Sequence, residues 1–444
     1  MNTCTHNNMT QDTNRPVTSY EFTPVASLVT AAPIYAIAPT KSWKWVFTGG
    51  SDGRITKYDH VGTIMGKTML TQNQRSGQVE TVVKGGHLLS YWYNEESKDS
   101  QANWTAARLA PPATTSAHHS EQHDAATTAA VVKPEPVAGS EPLKPPAAST
   151  GAASSSIGGI SGSTATITAP PIPPAGVPDI SPVFALAAHS EAQWVIAGTR
   201  RGGVALYSAR HDEGTQFACL PGHTDMVSAV QIVAGEDKVL SGSWDSSVLL
   251  SDLHTGKPIC RMTKPISTVA SIEAHPSDPN SYLITSLGGL CTQWDIRSPT
   301  RPSITFELPA KTPPWALSAC YNPRSEHIYI GRRNYTVDEF APGGKFVRTL
   351  TLPRNSGQVS RVLCMENGRS LLIGSTDIVR QWDLDHSGKG VPFTIIPGHG
   401  ANVADFAVDP SSRFMICTSG NRGWETNVKD TPLSLVFTVT KVYE

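Results

Sequence analysis

The 444-residue sequence sets 36 Lys and Arg against 37 Asp and Glu, a formal net charge of −1, so it has no bulk field to draw in duplex DNA or an anionic membrane. Its seven cysteines are scattered, none within four residues of another, which excludes a CxxC metal or redox pair, and the odd count argues against a secreted disulfide framework. No apolar run approaches the ~18 residues of a spanning helix, and "MNTCTHNNMT" has neither region of a signal peptide; the sequence reads as a soluble intracellular protein.

In chain order, residues 1–30 read as an N-terminal tail and 31–96 as the first units of a strand-rich repeat. "IYAIAP" from Ile34 is an apolar strand, and "KWVFTGGSDG" is a second strand ending in small residues and a turn. A third strand closes on the aromatic–acidic pair Tyr58-Asp59. Gly49-Gly50-Ser51-Asp52-Gly53 imitates a nucleophile elbow, but it lies between two strands rather than between strand and helix. "VGTIMGKT" imitates a P-loop with Val61 where the first glycine should stand, so Lys67 reads as a strand or loop lysine. "VETVVK" from Val79 reads as the start of a further unit that breaks off after "HLLSYWYNEE".

Residues 97–180 read as a disordered insertion rich in Pro, Ala, Ser and Thr. Positions 105–178 hold no Phe, Trp or Tyr and 12 of the 34 prolines, so they bury too little apolar surface to offset ordering entropy. Loop-closure entropy grows only logarithmically with length, so such an insertion sits inside a domain at modest cost. Two fragments there are weak signals. His118, His119 and His123 lack the supporting ligands of a metal site, and Val132-Lys133-Pro134-Glu135 fits an acceptor pattern for a small ubiquitin-like modifier.

From residue 181 to 444 the units recur. Leading strands begin at Val183, Val227, Val269, Trp315, Val359 and Val403, at intervals of 44, 42, 46, 44 and 44 residues, the spacing of a four-stranded propeller blade. Later units close on Trp294-Asp295 and Trp382-Asp383, while Gly222-His223 and Gly398-His399 precede two leading strands. These are the WD and GH signposts of WD repeats, so the fold class is all-β, a WD-repeat β-propeller interrupted by a long insertion. Counting Ile34 and Val79 gives eight leading strands; the ring is read as seven-bladed, with eight as the alternative.

Within one unit His223, Ser241 and Asp245 hold positions that can join in a buried hydrogen-bond chain, but Ser251 stands where its tryptophan belongs. That blade is expected to be held less tightly, and Ser251→Trp to be tolerated if the blade keeps room for the ring. No catalytic set converges and no cofactor is implied. Exposed turn positions are assigned to Arg200, Arg201, Arg332 and Arg333, where an acidic partner could bind. The segment Ser208, Ala209, Arg210, His211, Asp212, Glu213, Gly214 is polar and atypical of a repeat, which makes it the first candidate for partner contact.

Particular words carry a resemblance. "AAPIYAIAPTKSWKWVFTGGSDGRITKYD", "GGHLLSYWYNEE", "SPVFALAAHSEAQWVIAGTRRGGVALYSARHDEG" and "GHT…VLSGSWD" together resemble the fungal WD-repeat subunit of the SAGA transcriptional coactivator complex, of the suppressor-of-Ty class. The likeness covers 31–96 and 181–297, and more loosely runs to about residue 385. It implies a non-enzymatic nuclear scaffold that contacts the TATA-binding protein and other coactivator subunits and regulates transcription by RNA polymerase II. No membrane, small-molecule or direct sequence-specific nucleic-acid contact is implied. Family members can carry a long acidic N-terminal extension, whereas residues 1–30 offer only Asp12 and Glu21. The alternative is a generic WD-repeat adaptor of another intracellular assembly, such as a ubiquitin-ligase substrate receptor or an RNA-processing scaffold.

Overall fold

Many of the short strands bury residues on both faces, and a lone four-stranded sheet has no second layer to cover them. The solution is a ring. The computed structural model describes residues 15–75, 81–96, 179–263, 266–398, 400–422 and 432–444. Strand β1 is Val17–Ser27. The first blade comprises β2 (Ile34–Pro39), β3 (Trp45–Gly50), β4 (Arg54–Asp59) and, after α1 (His60–Met65), α2 (Gln72–Arg75) and β5 (Lys84–Gly85), the outer strand β6 (His87–Tyr93).

The second blade is β7 (Leu186–Ala188), β8 (Trp194–Gly198), β9 (Val204–Ser208) and β10 (Gln216–Leu220), and the third is β11 (Val227–Ile232), β12 (Lys238–Ser243), β13 (Val248–Asp252) and β14 (Pro258–Met262). The fourth is β15 (Val269–Ala274), β16 (Ser281–Ser286), β17 (Cys291–Asp295) and β18 (Ile304–Phe306). The fifth is β19 (Ala316–Tyr321), β20 (Ile328–Arg332), β21 (Thr336–Phe340) and β22 (Phe346–Thr351), and the sixth is β23 (Val359–Cys364), β24 (Ser370–Ser375), β25 (Val379–Asp383) and β26 (Phe393–Ile395). The seventh joins β27 (Val403–Val408), β28 (Phe414–Ser419) and β29 (Ser434–Tyr443) to β1 and β5.

The ring therefore has seven blades, and two sequence expectations change. "VETVVK" opens no blade: residues 81–83 are irregular, and β5 only extends the edge of the seventh sheet beside β1. The strand after it, β6, is the missing fourth strand of the first blade, paired antiparallel with β4. Gly86 lets the chain cross between the two, because a Cβ there would fall 2.6 Å from Leu28. Residues 17–27 of the supposed tail form the fourth strand of the last blade, in register with β29 from Val17↔Tyr443 to Ser27↔Leu435. This pairing of the two ends of the described chain closes the ring. Residues 61–65 of the P-loop imitation lie in helix α1, whose N-cap is Asp59; its carboxylate accepts from the Gly62 amide at 2.9 Å. Lys67 follows in irregular chain.

The small residues that end the second strands have a packing role. A Cβ on Gly49, Gly242, Gly331 or Gly374 would fall 2.3, 2.5, 2.6 or 2.7 Å from Val183, Val269, Val359 or Val403, each at or next to the leading strand of the following blade. Blades approach through these contacts, and the buried clusters straddle them: Ile196 and Leu206 pack with Val227 and Val239 across the second and third blades. Each such fully buried aliphatic side chain stabilises by about 1.5–3 kcal/mol relative to exposure.

One position of the third strand is aromatic in six blades: Tyr58, Tyr207, Trp294, Phe340, Trp382 and Phe437, all buried, face Val46, Val195, Tyr282, Ile328, Leu371 and Met415. In the third blade Ser251 faces Val239 at that position and is itself only 2% exposed.

Candidate partner-binding surface

The segment 208–214 connects β9 to β10, and the structure divides it in two. Arg210, His211 and Asp212 form an exposed tip, with Asp212 at φ 50. Glu213 instead reaches back to the first blade, pairing with the buried Lys57 and accepting from Ser90. Lys57 also donates to the Ala209 carbonyl at 2.8 Å. Gly214, at φ +83, lies against Trp92, where a Cβ would fall 2.7 Å away. Ser208 closes the turn by donating to the His211 carbonyl. Glu213 is thus an inter-blade clasp rather than a free contact, and it explains why an acidic residue and a glycine stand in a segment atypical of the repeat.

Arg200 and Arg201 sit at the turn between β8 and β9 and both turn to Asp179, at 3.3 and 2.6 Å. The Arg201 amide donates to Glu96 at 3.1 Å. This is the neck of the insertion: Glu95 and Ile180 form an antiparallel bridge, Glu96 N donates to the Asp179 carbonyl and Ser181 N to the Asn94 carbonyl, each at 2.8 Å. The last described residue before the insertion and the first after it are therefore clipped together, with Tyr207 donating to Asn94 at 3.1 Å beneath them. Arg201 still keeps 55% of its side chain exposed.

Arg332 overturns its sequence reading. It is not at a ring face but fully buried, donating to Asp338 at 2.8 Å and to the Gly289 carbonyl of the fourth blade. As the last residue of β20 it turns toward the fourth blade, where that carbonyl and Asp338 of its own blade engage the guanidinium. Arg333, one residue on, is exposed and lies 4.1 Å over the Trp315 ring, a contact worth about 0.5–1 kcal/mol at an exposed site.

The repeat signature assembles in the third blade. His223 contacts Asp245 at 3.1 Å and the Ser241 hydroxyl at 2.9 Å. Asp245 also accepts from the Thr224 amide at 3.1 Å and from Ser247 at 2.7 Å, and Arg261 donates to Ser247 and to the Gly222 carbonyl. Burial lowers the His223 pKa despite the neighbouring carboxylate, so the ring is neutral near pH 7. Burial would raise Asp245, but the hydrogen bonds from Ser247 and Thr224 and the adjacent His223 leave it below its ordinary value. Gly222 has φ +142, which favours glycine. Trp294 donates to Thr292 at 2.9 Å and Trp382 packs on Phe393. Asp295 and Asp383 hold Arg297 and Arg369 at 2.7 and 2.8 Å. Gly398 lies beside Pro24 of β1; His399 is outside the described residues, as are His118, His119, His123 and Lys133.

Sequence reasoning missed the charged residues of the central channel. A cavity of about 170 Å³ is lined by the leading strands and includes Glu273, Arg361, Asp405 and Arg422. Arg361 pairs with Glu273 at 3.1 Å and Asp405 at 3.2 Å; Arg422 crosses to the Phe184 and Ser228 carbonyls of the second and third blades. Burial pushes the Asp405 carboxyl above its usual range, against the pull of Arg361 and Arg422. The two carboxylates are thus engaged by guanidinium groups rather than set out as an acid–base pair. The available signal was Arg361 and Asp405 interrupting otherwise apolar leading strands at the same place, two residues after Val359 and Val403. Among the described residues no three His, Cys, Asp or Glu side chains group as a metal site, and no helix is long and apolar enough to cross a membrane.

The model of the SPT8 β-propeller matches residues 20–125, 160–280 and 277–438. The chain belongs to that family. It is 30% identical over 486 aligned positions to the SAGA complex subunit Spt8 of Schizosaccharomyces pombe, covering 91% of this chain and 77% of that protein. To the SAGA complex subunit SPT8 of Saccharomyces cerevisiae it is 27% identical over 498 positions, covering 94% and 72%. A WD repeat-containing protein 55 homolog of Aedes aegypti is 29% identical over 114 positions, or 24% of this chain, a likeness confined to a few repeats.

Proposed function

We propose that this chain is a non-enzymatic scaffold and regulatory subunit of a SAGA-type coactivator complex, acting in the nucleus on transcription by RNA polymerase II. The observation that carries this reading is the likeness to two SAGA subunits along nine-tenths of the chain. A rigid ring suits the role, because its loops are held by sheets and several partners can use faces and rim without refolding it. The channel carboxylates engaged by Arg361, and cysteine thiols such as Cys219, which burial pushes up to about 11, favour a scaffold over a catalyst.

The same reading assigns direct contact with the TATA-binding protein, with Arg210, His211, Asp212, Arg201 and Arg333 as the exposed candidates. Purification of the tagged full chain from nuclear extract, with mass spectrometry and a parallel pull-down of purified TATA-binding protein, tests it. Coactivator subunits and retention of that protein are expected. Recovery of a ubiquitin-ligase or RNA-processing assembly instead would leave the propeller standing and overturn the function.

A further inference from the structure

Propeller rims expose one strand edge per blade, and an unprotected edge pairs with other chains. Most outer strands here are blunted. Strands β18 and β26 have three residues each; β14 begins at Pro258 and carries Arg261, and β22 carries Arg348. Strand β10 is mostly buried, and β1 is partly covered by β5.

Strand β6 differs on every count. It is seven residues long, "HLLSYWY", with no proline, lysine, arginine or carboxylate. It ends its sheet, so one ladder edge is unpaired. Leu88, Leu89, Tyr91 and Tyr93 are 45%, 44%, 52% and 42% exposed, and Met65 of the adjoining helix adds to the same apolar rim at 80% exposed. Two of its other residues are committed: Ser90 is held by Glu213 and Trp92 is covered by Gly214. The clasp thus fixes the strand on its own sheet, across a register shift at Leu89, while leaving its outer edge open.

One charge marks what fits. The Arg54 guanidinium lies 3.7 Å over the Tyr91 ring, its Nε is buried with no hydrogen-bond partner, and no carboxylate among the described residues pairs with it. We propose that β6 is a docking edge that takes an extended segment of another polypeptide by strand addition, the segment alternating apolar residues with an acidic one placed against Arg54 and Tyr91. Main-chain ladder bonds supply the affinity in such a mode, and the alternate side chains the selectivity. Four large apolar side chains exposed along one strand fit a protein contact.

This rests on the reading of the chain as an assembly subunit, and the test separates the two. The full chain carrying p-benzoylphenylalanine in place of Tyr91 is purified within its native assembly and irradiated. The expected product is a crosslink to one segment of a different polypeptide, with an acidic residue among apolar ones. A crosslink only to residues 97–178 of the same chain, only to β6 of a second copy, or none at all in an intact assembly overturns the proposal. An unmodified chain that recovers no assembly would instead break the proposed function.

The double variant L89K/Y91K is expected to retain the crosslinked polypeptide at least tenfold less, while F346K on the rim of the fifth blade retains it in full. Equal retention by all three chains overturns the proposal. Should the double variant unfold, amide exchange of β6 in the unmodified chain decides: at least tenfold slower exchange in the assembly supports docking, and equal exchange sinks it.

Discussion

The third and fourth blades solve the same problem with different halves of the repeat signature. The third has the polar half: behind Gly222, His223, Ser241 and Asp245 form a buried hydrogen-bond chain, extended by Ser247 and Arg261. It lacks the aromatic, with Ser251 in its place. The fourth has the aromatic half, Trp294 fully buried against Thr292, and no Gly-His ahead of its leading strand. The sixth has Trp382 without Gly-His, and the seventh has Gly398-His399 with Phe437. No blade here has both Gly-His ahead of its leading strand and tryptophan in its third strand. The lesson is that turn and third strand are anchored separately, so either anchor can be dropped while the other holds its own end of the blade.

That comparison can be broken most strongly at Trp294. Trp294→Ala removes the largest buried side chain of the fourth blade, and a loss of about 3–5 kcal/mol is expected in denaturant unfolding; a loss below 1 kcal/mol would show that the aromatic is no anchor. Ser251→Trp tests the opposite side. The position is closed at 2% exposure, so the sequence expectation of tolerance gives way to one of overpacking, with about 1–3 kcal/mol lost. A gain in stability would reveal unused space beside Val239.

Asp245→Ala strips acceptors from Thr224, Ser247 and His223, and should cost about 1–3 kcal/mol. An unchanged unfolding midpoint would make the polar chain incidental.

The smallest effect is in pH. Burial foremost holds both His223 and His60 below their ordinary pKa, against the pull of Asp245 on the first and of Asp409 and Asp59 on the second. The unfolded histidines take up protons as pH falls through ~6.5 while the folded ones resist. Their contribution is therefore full above that value and is lost as pH falls toward the folded pKa. Urea midpoints measured downward from about pH 7.5 should decline below about pH 6.5, and His60→Phe should remove part of the slope. A midpoint that rises on acidification would contradict the burial account.

Much of the fold was legible because a blade is a local pattern. The interval from Val183 to Val403, the small residues at Gly242 and Gly374, and the Trp294 and Trp382 pairs lie within single units. The candidate surface was less legible. Arg332 and Arg333 are neighbours in matching turn sequence, yet one is fully buried and the other exposed, and only the approach of the fourth blade decides which. Glu213 looked like free acidic surface because its partners, Lys57 and Ser90, lie more than a hundred residues earlier.

By itself, then, the sequence determined an all-β repeat protein, its blade period, a long interruption after "HLLSYWYNEE" and the anchors of several blades, since these follow from residue types at a fixed spacing. Tertiary structure alone decided the closure: that β6 rather than a new blade follows the first unit, that β1 completes the seventh sheet, and that channel charges from three blades meet as one network. Strand pairing between residues some four hundred apart leaves no periodic trace in the chain. It exists only when the ring shuts.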